Sequence, residues 1–115
     1  MLVSKDYPYI QVRVTVLGFS SPFRALLDTG FDGYLVLPEN VGSQLGRPDY
    51  LTKTCLADGT ERDSPEYRGS VEIVGLNVAY LARIILLGNE CLVGQDIIKK
   101  LKVTFDRGSQ ILVEP

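Results

Sequence analysis

The stretch that decides the fold is Arg24–Pro38, with the sequence RALLDTGFDGYLVLP. Its first apolar residues, Ala25–Leu27, are typical of the end of a buried strand, and they lead directly into Asp28. After a polar turn that contains two glycines, the apolar pattern resumes at Tyr34–Leu37. A carboxylate is costly to bury unless a partner compensates its charge, so this arrangement marks Asp28 as a candidate catalytic residue. Asp-Thr-Gly is also ordinary turn chemistry, because Asp caps its own backbone and Gly accepts a positive φ.

The length and charge of the chain limit the number of domains and the kinds of partner that we expect. The chain has 115 residues and a formal net charge of -2, so we expect one domain over residues 1–115. Acidic and basic residues are interspersed, and Lys99-Lys100 is too short a run to make a basic patch, which argues against nucleic acid as a partner. No apolar run is long enough to cross a membrane, and the first residues lack the apolar core of a signal peptide.

The number and spacing of the cysteines indicate whether the protein resides in a reducing or an oxidising compartment. Cys55 and Cys91 are isolated in the sequence and form no CxxC pair. This usage favours buried free thiols in a reducing environment. We therefore expect a cytoplasmic protein.

The residues that the chain lacks exclude several kinds of chemistry. There is no histidine, which excludes Ser-His-Asp and Cys-His catalysis within the chain and removes the commonest zinc ligand. The sequence also has no Walker motif and no GxGxxG after a strand. We expect no metal and no cofactor, so any chemistry must come from carboxylates, lysines, tyrosines or hydroxyl groups.

Hydrophobic periodicity predicts a mainly β chain. Tyr9–Leu17 alternates strictly between apolar and polar residues, as a half-buried antiparallel strand does. The pattern predicts a turn at Gly18–Pro22 and short helices after Pro38 and over Asp96–Leu101. The further predicted strands are Phe23–Leu27, Tyr34–Leu37, Leu51–Ala57, Tyr67–Val74, Val78–Leu87, Leu92–Gly94, Val103–Phe105 and Gln110–Val113. This order is typical of a small closed barrel or a sandwich.

A polar excursion, ADGTERDSPE at Ala57–Glu66, separates two of these strands. Asp58-Gly59 is a strong turn signal, and the segment is charged, so we expect it to project from the body. It is either a solvated hairpin or a mobile cover over a site, because long loops in compact domains often act as lids.

These features together resemble the retropepsin-like aspartic proteases. The resemblance rests on an apolar strand that enters Asp-Thr-Gly at Asp28, a hairpin with Gly59 at its tip, and two apolar residues before Gly94, which opens a short helix. It covers Tyr9–Val113. The stretch ALLDTGFDGYLVLP looks like the bacterial and archaeal single-domain members, and the ending, Leu92–Pro115, is similar to the protease-like domain of the ubiquitin-linked DNA-damage-inducible proteins. The resemblance implies a small closed β-barrel with one or two short helices and a flap hairpin.

The resemblance implies an aspartic endopeptidase that acts on a peptide or protein substrate. Such enzymes need two carboxylates that share one proton, because like charges a few ångströms apart cannot both ionise easily. This chain has one Asp-Thr-Gly, since Asp58-Gly59-Thr60 has the wrong order and Asp106-Arg107-Gly108 has Arg at its centre. A two-fold homodimer can pair two copies of Asp28 near its axis.

Roles for the catalytic loop are implied residue by residue. Asp28 would activate the water and protonate the leaving amine. Thr29 would hydrogen-bond across the dimer axis, and Gly30 would allow the substrate backbone to approach and accept a hydrogen bond from it. Asp32 matches a position that binds the substrate main chain.

The remaining substrate-binding positions lie outside this loop. The implied flap tip is Ala57–Thr60, with Ala57, Asp58 and Gly59 contacting substrate. Leu92, Val93 and Gly94 would pack around the catalytic loop and line pocket walls, with Leu92 and Val93 contacting substrate. The sequence departs from the retroviral pattern at Gln95, where Arg is usual, and at Phe31, which is bulkier than the usual small residue. The flap tip is also less glycine-rich.

Two alternatives stay open at this level. The first is a catalytically silent dimeric module that binds peptides in the same groove or serves only in oligomerisation. The second is an Asp-dependent phosphoryl-transfer protein, which is disfavoured because no glycine-rich phosphate loop accompanies the Asp.

Overall fold

The structure is a computed structural model that describes residues 1–56 and 58–115. These residues form ten strands and two helices of one turn each. The strands are β1 (Leu2–Ser4), β2 (Tyr9–Val16), β3 (Phe19–Leu27), β4 (Leu35–Leu37), β5 (Tyr50–Cys55), β6 (Glu61–Ile73), β7 (Val78–Leu86), β8 (Cys91–Val93), β9 (Lys102–Asp106) and β10 (Gln110–Glu114). The helices are α1 (Gly42–Leu45), which continues a 3-10 turn at Glu39–Val41, and α2 (Gln95–Ile98).

Six strands close into a barrel. They follow the order β2-β3-β8-β4-β7-β6, and β6 pairs back onto β2. The barrel is mixed, because β3 pairs with β8 and β4 pairs with β7 in parallel, whereas the other pairings are antiparallel. The closed ring settles the choice between barrel and sandwich, and it confirms the mainly β fold expected from the sequence.

The barrel core is filled by the alternating strand residues. Along β2, Ile10, Val12, Val14 and Val16 are buried, with at most 3% of their surface exposed, while the intervening residues face solvent. Each such side chain contributes about 1.5–3 kcal/mol by leaving water. The strict alternation in the sequence therefore predicted this strand correctly, with its end one residue earlier than expected.

The chain ends meet in a second, three-stranded sheet with the order β1-β10-β9. The closing hairpin of β9 and β10 was predicted from the sequence. The first strand, β1, was missed because three residues with one polar member give too short a pattern to detect. It pairs with β10, with Leu2 opposite Val113.

Strand β3 is longer than its apolar residues indicate. It begins at Phe19 instead of Phe23 and runs through Pro22, which lies opposite Arg13 of β2. Proline cannot donate a ladder hydrogen bond. It is tolerated because β8 pairs with β3 only from Ala25 onward, so the far edge of β3 is unpaired at Pro22. The expected turn at Gly18–Pro22 shrinks to Leu17 and Gly18.

The excursion at Ala57–Glu66 is mostly strand, which agrees with the hairpin alternative and corrects the expected start of the second strand. Strand β6 already begins at Glu61 instead of Tyr67, and its residues Glu61–Glu66 pair with the whole of β5. Ser64 is fully buried, and its hydroxyl lies 2.9 Å from that of Thr54 on β5. The polar sequence concealed this strand because its hydroxyl groups satisfy one another inside the hairpin. Ala57 lies outside the described residues.

Smaller corrections concern the second helix and the cysteines. Helix α2 spans Gln95–Ile98 and not Asp96–Leu101, because the next turn tightens into i→i+3 hydrogen bonds. Cys91 is buried as expected, and burial raises the pKa of its thiol to about 12. Cys55 is exposed, contrary to expectation, because it lies near the free end of the β5–β6 hairpin.

Candidate active site

Strand β8 positions the loop that carries Asp28. It lies between β3 and β4, with Val93 opposite both Leu27 and Leu35. The loop of residues 28–34 connects β3 to β4 and must therefore pass over the end of β8. The Asp28 N–H donates to the carbonyl of Val93 at 2.9 Å, so the aspartate is fixed where the buried strand ends.

The Asp28 side chain is held by its own turn. The N–H of Gly30 donates to Asp28 Oδ1 at 2.9 Å, and the N–H of Phe31 donates to the Asp28 carbonyl at 3.3 Å. Asp28 is half-buried, whereas Thr29 and Gly30 are exposed. One carboxylate oxygen is thus oriented by the backbone in a loop that opens to solvent, which is a suitable arrangement for a general base.

Gly94 and the first residues of α2 hold the loop through hydrogen bonds. The backbone N–H groups of Gly94, Gln95 and Asp96 donate to loop carbonyls at 2.9, 2.8 and 3.1 Å, the acceptors being Tyr34, Phe31 and Gly33 respectively. The Gln95 side chain adds a fourth hydrogen bond, from Nε2 to the Thr29 carbonyl at 3.0 Å. Gln95 was noted in the sequence only as a departure from Arg, and its contact with the loop was not foreseen.

Phe31 packs against two glycines. A Cβ placed on Gly33 would lie 2.5 Å from Cζ of the Phe31 ring, and one on Gly94 would lie 2.5 Å from its Cδ2. A Cβ on Gly94 would also lie 2.3 Å from the Gly33 carbonyl oxygen. The Phe31 ring therefore fits because Gly33 and Gly94 have no Cβ. The signal was present in the sequence as a large residue with glycine two positions later.

The two predicted pocket-wall residues differ in exposure. Leu92 is half-buried on β8, between Leu26 and Val36. Val93 is fully buried in the core, because side chains alternate along a strand. Val93 therefore supports the Asp28 loop from inside the barrel, and within the single chain it does not line an open pocket as the sequence reasoning expected.

The hairpin tip has its own local order. Asp58 Oδ1 accepts hydrogen bonds from the N–H and the hydroxyl of Thr60, at 2.9 and 2.6 Å. These bonds hold the pKa of the Asp58 carboxyl below its usual range. Gly59 adopts a φ of 86°, which glycine accepts readily. Over residues 1–56 and 58–115, no hydrogen bond joins this tip to the loop of residues 28–34.

Asp32 is the second acidic residue of the loop. Asp32 is exposed, and in the part of the chain that the structure describes it forms no ion pair. No group of three acidic or cysteine side chains in that part is arranged to hold a metal ion. Nor does it contain a helix long and apolar enough to span a membrane.

The fold is that of the retropepsin-like aspartic proteases. A retropepsin-like aspartic protease from Rickettsia conorii matches it with a TM-score of 0.68 at 18% identity, over 98% of this chain and 89% of that one. The protease of simian foamy virus matches with a TM-score of 0.57 at 15% identity, over 79% and 91% of the two chains. The retroviral protease-like domain of Ddi1 from Leishmania major gives a TM-score of 0.51 at 12% identity, over 93% and 94%.

Comparison of the sequences alone adds nothing to this. No protein-family model matches the chain, and no curated protein matches it. At these low identities the structural likeness establishes the fold, and the function has to be argued from the site.

Proposed function

We propose that the chain is an aspartic endopeptidase that hydrolyses peptide bonds as a homodimer. The observation that carries this proposal is the placement of Asp28, which ends a buried strand and is held by backbone hydrogen bonds in a loop open to solvent. The retropepsin-like fold supports the same function, because Asp28 lies in the loop that joins two of its barrel strands.

The chemistry requires two copies of Asp28. With one carboxylate ionised and the other protonated, the ionised group takes a proton from a water that lies between them, while the other donates a hydrogen bond to the substrate carbonyl. The water oxygen adds to the carbonyl carbon, and the proton passes to the nitrogen of the leaving amine as the C–N bond breaks. A chain with one Asp-Thr-Gly reaches this state through an isologous dimer, which brings each residue near the axis beside its own copy.

Other residues would bind the substrate. Thr29 and Gly30 are exposed beside Asp28, where Thr29 can hydrogen-bond across the axis and the Gly30 carbonyl can accept from a substrate N–H. Asp32 would bind the substrate main chain. The tip of the β5–β6 hairpin would act as a flap over the bound peptide. The free thiols of Cys55 and Cys91 are in keeping with a cytoplasmic location.

The decisive experiment compares the wild type with Asp28→Asn. Mixed peptides are incubated with each protein, products are identified by mass spectrometry, and sedimentation velocity measures the assembly of both. We expect a wild-type dimer that cleaves peptides and an Asp28→Asn dimer that does not. A strict monomer, or cleavage that survives in Asp28→Asn, would contradict the proposal. A dimer that binds peptides without cleaving them would indicate the silent module instead.

The rate should also depend on pH in a bell shape. Activity needs the singly protonated pair, so it falls when the pair gains its second proton or loses its last one. The chain has no histidine to supply a limb near neutrality, and we expect the optimum in the acidic to near-neutral range. Cleavage measured from acid to alkaline pH tests this, and a rate that keeps rising into the alkaline range would place the chemistry elsewhere.

A further inference from the structure

Two arginines face each other on the outer surface of the barrel. Arg68 of β6 lies directly opposite Arg83 of β7 in the antiparallel register, and both are exposed. Like charges in directly opposed positions destabilise a sheet. In the described ranges, 1–56 and 58–115, neither guanidinium forms an ion pair with a carboxylate. The fold thus keeps two guanidinium groups side by side at one point of its surface, with the Glu66 carboxylate lining a cavity beside them.

Arg68 is also held in place. Its guanidinium lies 5.3 Å from the centre of the Tyr50 ring, within the range of a cation–π interaction. Its Nη2 makes a long hydrogen bond of 3.5 Å to the Tyr50 hydroxyl, and its backbone N–H donates to Asp49 Oδ2 at 2.8 Å. This arrangement reduces the entropy that the side chain would lose on binding an anion.

The two arginines join two adjacent cavities, and we call the whole surface the arginine groove. The larger cavity, of about 560 Å³, is lined by both arginines together with Leu17 and Leu81. The smaller one, of about 340 Å³, is lined by both arginines together with Tyr50, Leu51 and Glu66. The combined space is of the size that holds several side chains of a peptide.

The apolar part of the arginine groove is unusually exposed. Leu17 has 95% of its surface exposed and Leu81 has 86%, and both line the same cavity. Single exposed leucines need no explanation, but leucines gathered around a cavity mark an interaction surface. Leucines around a pair of arginines match a partner that presents a carboxylate among apolar side chains, because guanidinium groups bind carboxylates with two hydrogen bonds each.

The charges of the groove fix the orientation and class of this partner. Glu66 lines the smaller cavity, so a second carboxylate there would be repelled, and the acidic side chain belongs in the larger cavity. Nucleic acid is disfavoured, because it requires an extended basic stripe, whereas this chain carries a net charge of -2. We propose that the arginine groove docks an acidic segment of a partner protein, with a carboxylate between Arg68 and Arg83 and apolar side chains against Leu17 and Leu81.

The test uses a fluorescein-labelled peptide of alternating leucine and aspartate, with a matched peptide that has asparagine in place of aspartate. Binding is measured by fluorescence anisotropy at physiological salt. Arg68→Gln and Arg83→Gln should each weaken binding of the aspartate peptide by about tenfold or more, the loss expected for a charge-assisted contact. Arg107→Gln, a variant of an exposed arginine in the turn between β9 and β10, should bind as the wild type does.

Several outcomes would overturn the proposal. These are equal binding of the asparagine peptide, unchanged affinity in both groove variants, no binding at millimolar peptide, or displacement of the peptide by inorganic phosphate or duplex DNA at the same concentration. Self-association lost in the groove variants would assign the surface to a second copy instead.

Two further readouts separate docking from folding and from catalysis. In the absence of peptide, Arg83→Gln should unfold at the same or a higher temperature than the wild type, because it removes a like-charge pair. A weakened affinity combined with a lower unfolding temperature would show that the variant had merely damaged the fold. Affinity should be the same in Asp28→Asn as in the wild type, since Asp28 does not line the groove, and the proposal can therefore fail or succeed independently of the protease function.

Discussion

Gly94 should be the least replaceable residue beneath the Asp28 loop. Its φ is -99°, a value that alanine adopts without strain, so the effect of Gly94→Ala depends on space alone. The new Cβ would lie 2.3 Å from the Gly33 carbonyl oxygen and 2.8 Å from that of Phe31. Both are backbone atoms, and ordinary contact would require the nearer one to move by about 1 Å. The loop can move only by disturbing the hydrogen bonds that α2 donates to it.

The magnitude follows from these contacts. Overpacking costs about 1–3 kcal/mol, and each disturbed backbone hydrogen bond adds about 1 kcal/mol. We expect Gly94→Ala to lower the free energy of unfolding by about 3 kcal/mol, and the unfolding temperature by about 12 °C for a chain of this length. Thermal and urea unfolding followed by circular dichroism measure both quantities.

Gly33→Ala is the matched control. The three atoms nearest to its Cβ would all belong to the Phe31 ring, which can rotate at a cost of about 1 kcal/mol. In a Phe31→Ala background this cost should disappear, whereas Gly94→Ala should stay destabilising because its nearest contact, the Gly33 carbonyl, is still present. If Phe31→Ala rescues both substitutions equally, or if Gly94→Ala is as stable as the wild type, the close approach of backbone at Gly94 is not what holds the loop.

Three further predictions concern side chains around the barrel. Gln95→Ala should cost about 1 kcal/mol of unfolding free energy and lower kcat more than it changes KM, because it frees the loop without touching substrate; unchanged kinetics would refute this. The hydrogen bonds and charge of Arg24 hold the pKa of Asp6 below its ordinary value of 3.8, so Arg24→Gln should destabilise the protein near neutral pH. The difference in unfolding free energy between variant and wild type should shrink as the pH falls through that lowered pKa. A difference that grows in acid would contradict this prediction. At neutral pH iodoacetamide should modify Cys55 in the folded protein and Cys91 only after unfolding, because burial raises the pKa of the Cys91 thiol to about 12. Mass spectrometry identifies the modified residues, and rapid labelling of Cys91 would contradict its burial.

The sequence predicted the elements that have a strong apolar period. Strand β2 followed from alternation, and the closing hairpin followed from two short apolar runs around Asp106-Arg107-Gly108. Asp28 was found because a charged residue interrupts an apolar run. Strand β1 was missed because its partner, β10, lies far along the chain. The first half of β6 was missed because its residues are polar. Ser64 illustrates this, because its burial depends on the hydroxyl of Thr54, which no local pattern reveals.

The support of the Asp28 loop was the part of the candidate site that the sequence could not supply. Where an arginine would bring a full charge to the start of α2, Gln95 brings a neutral donor that reaches the Thr29 carbonyl. A neutral clamp can orient the loop without drawing the Asp32 carboxylate toward it, and Asp32 forms no ion pair within residues 1–56 and 58–115. Backbone hydrogen bonds from Gly94, Gln95 and Asp96 therefore fix the backbone around Asp28, while the Asp32 carboxylate is exposed to solvent. Under the proposed function, holding the loop and binding the peptide would therefore be tasks of different residues.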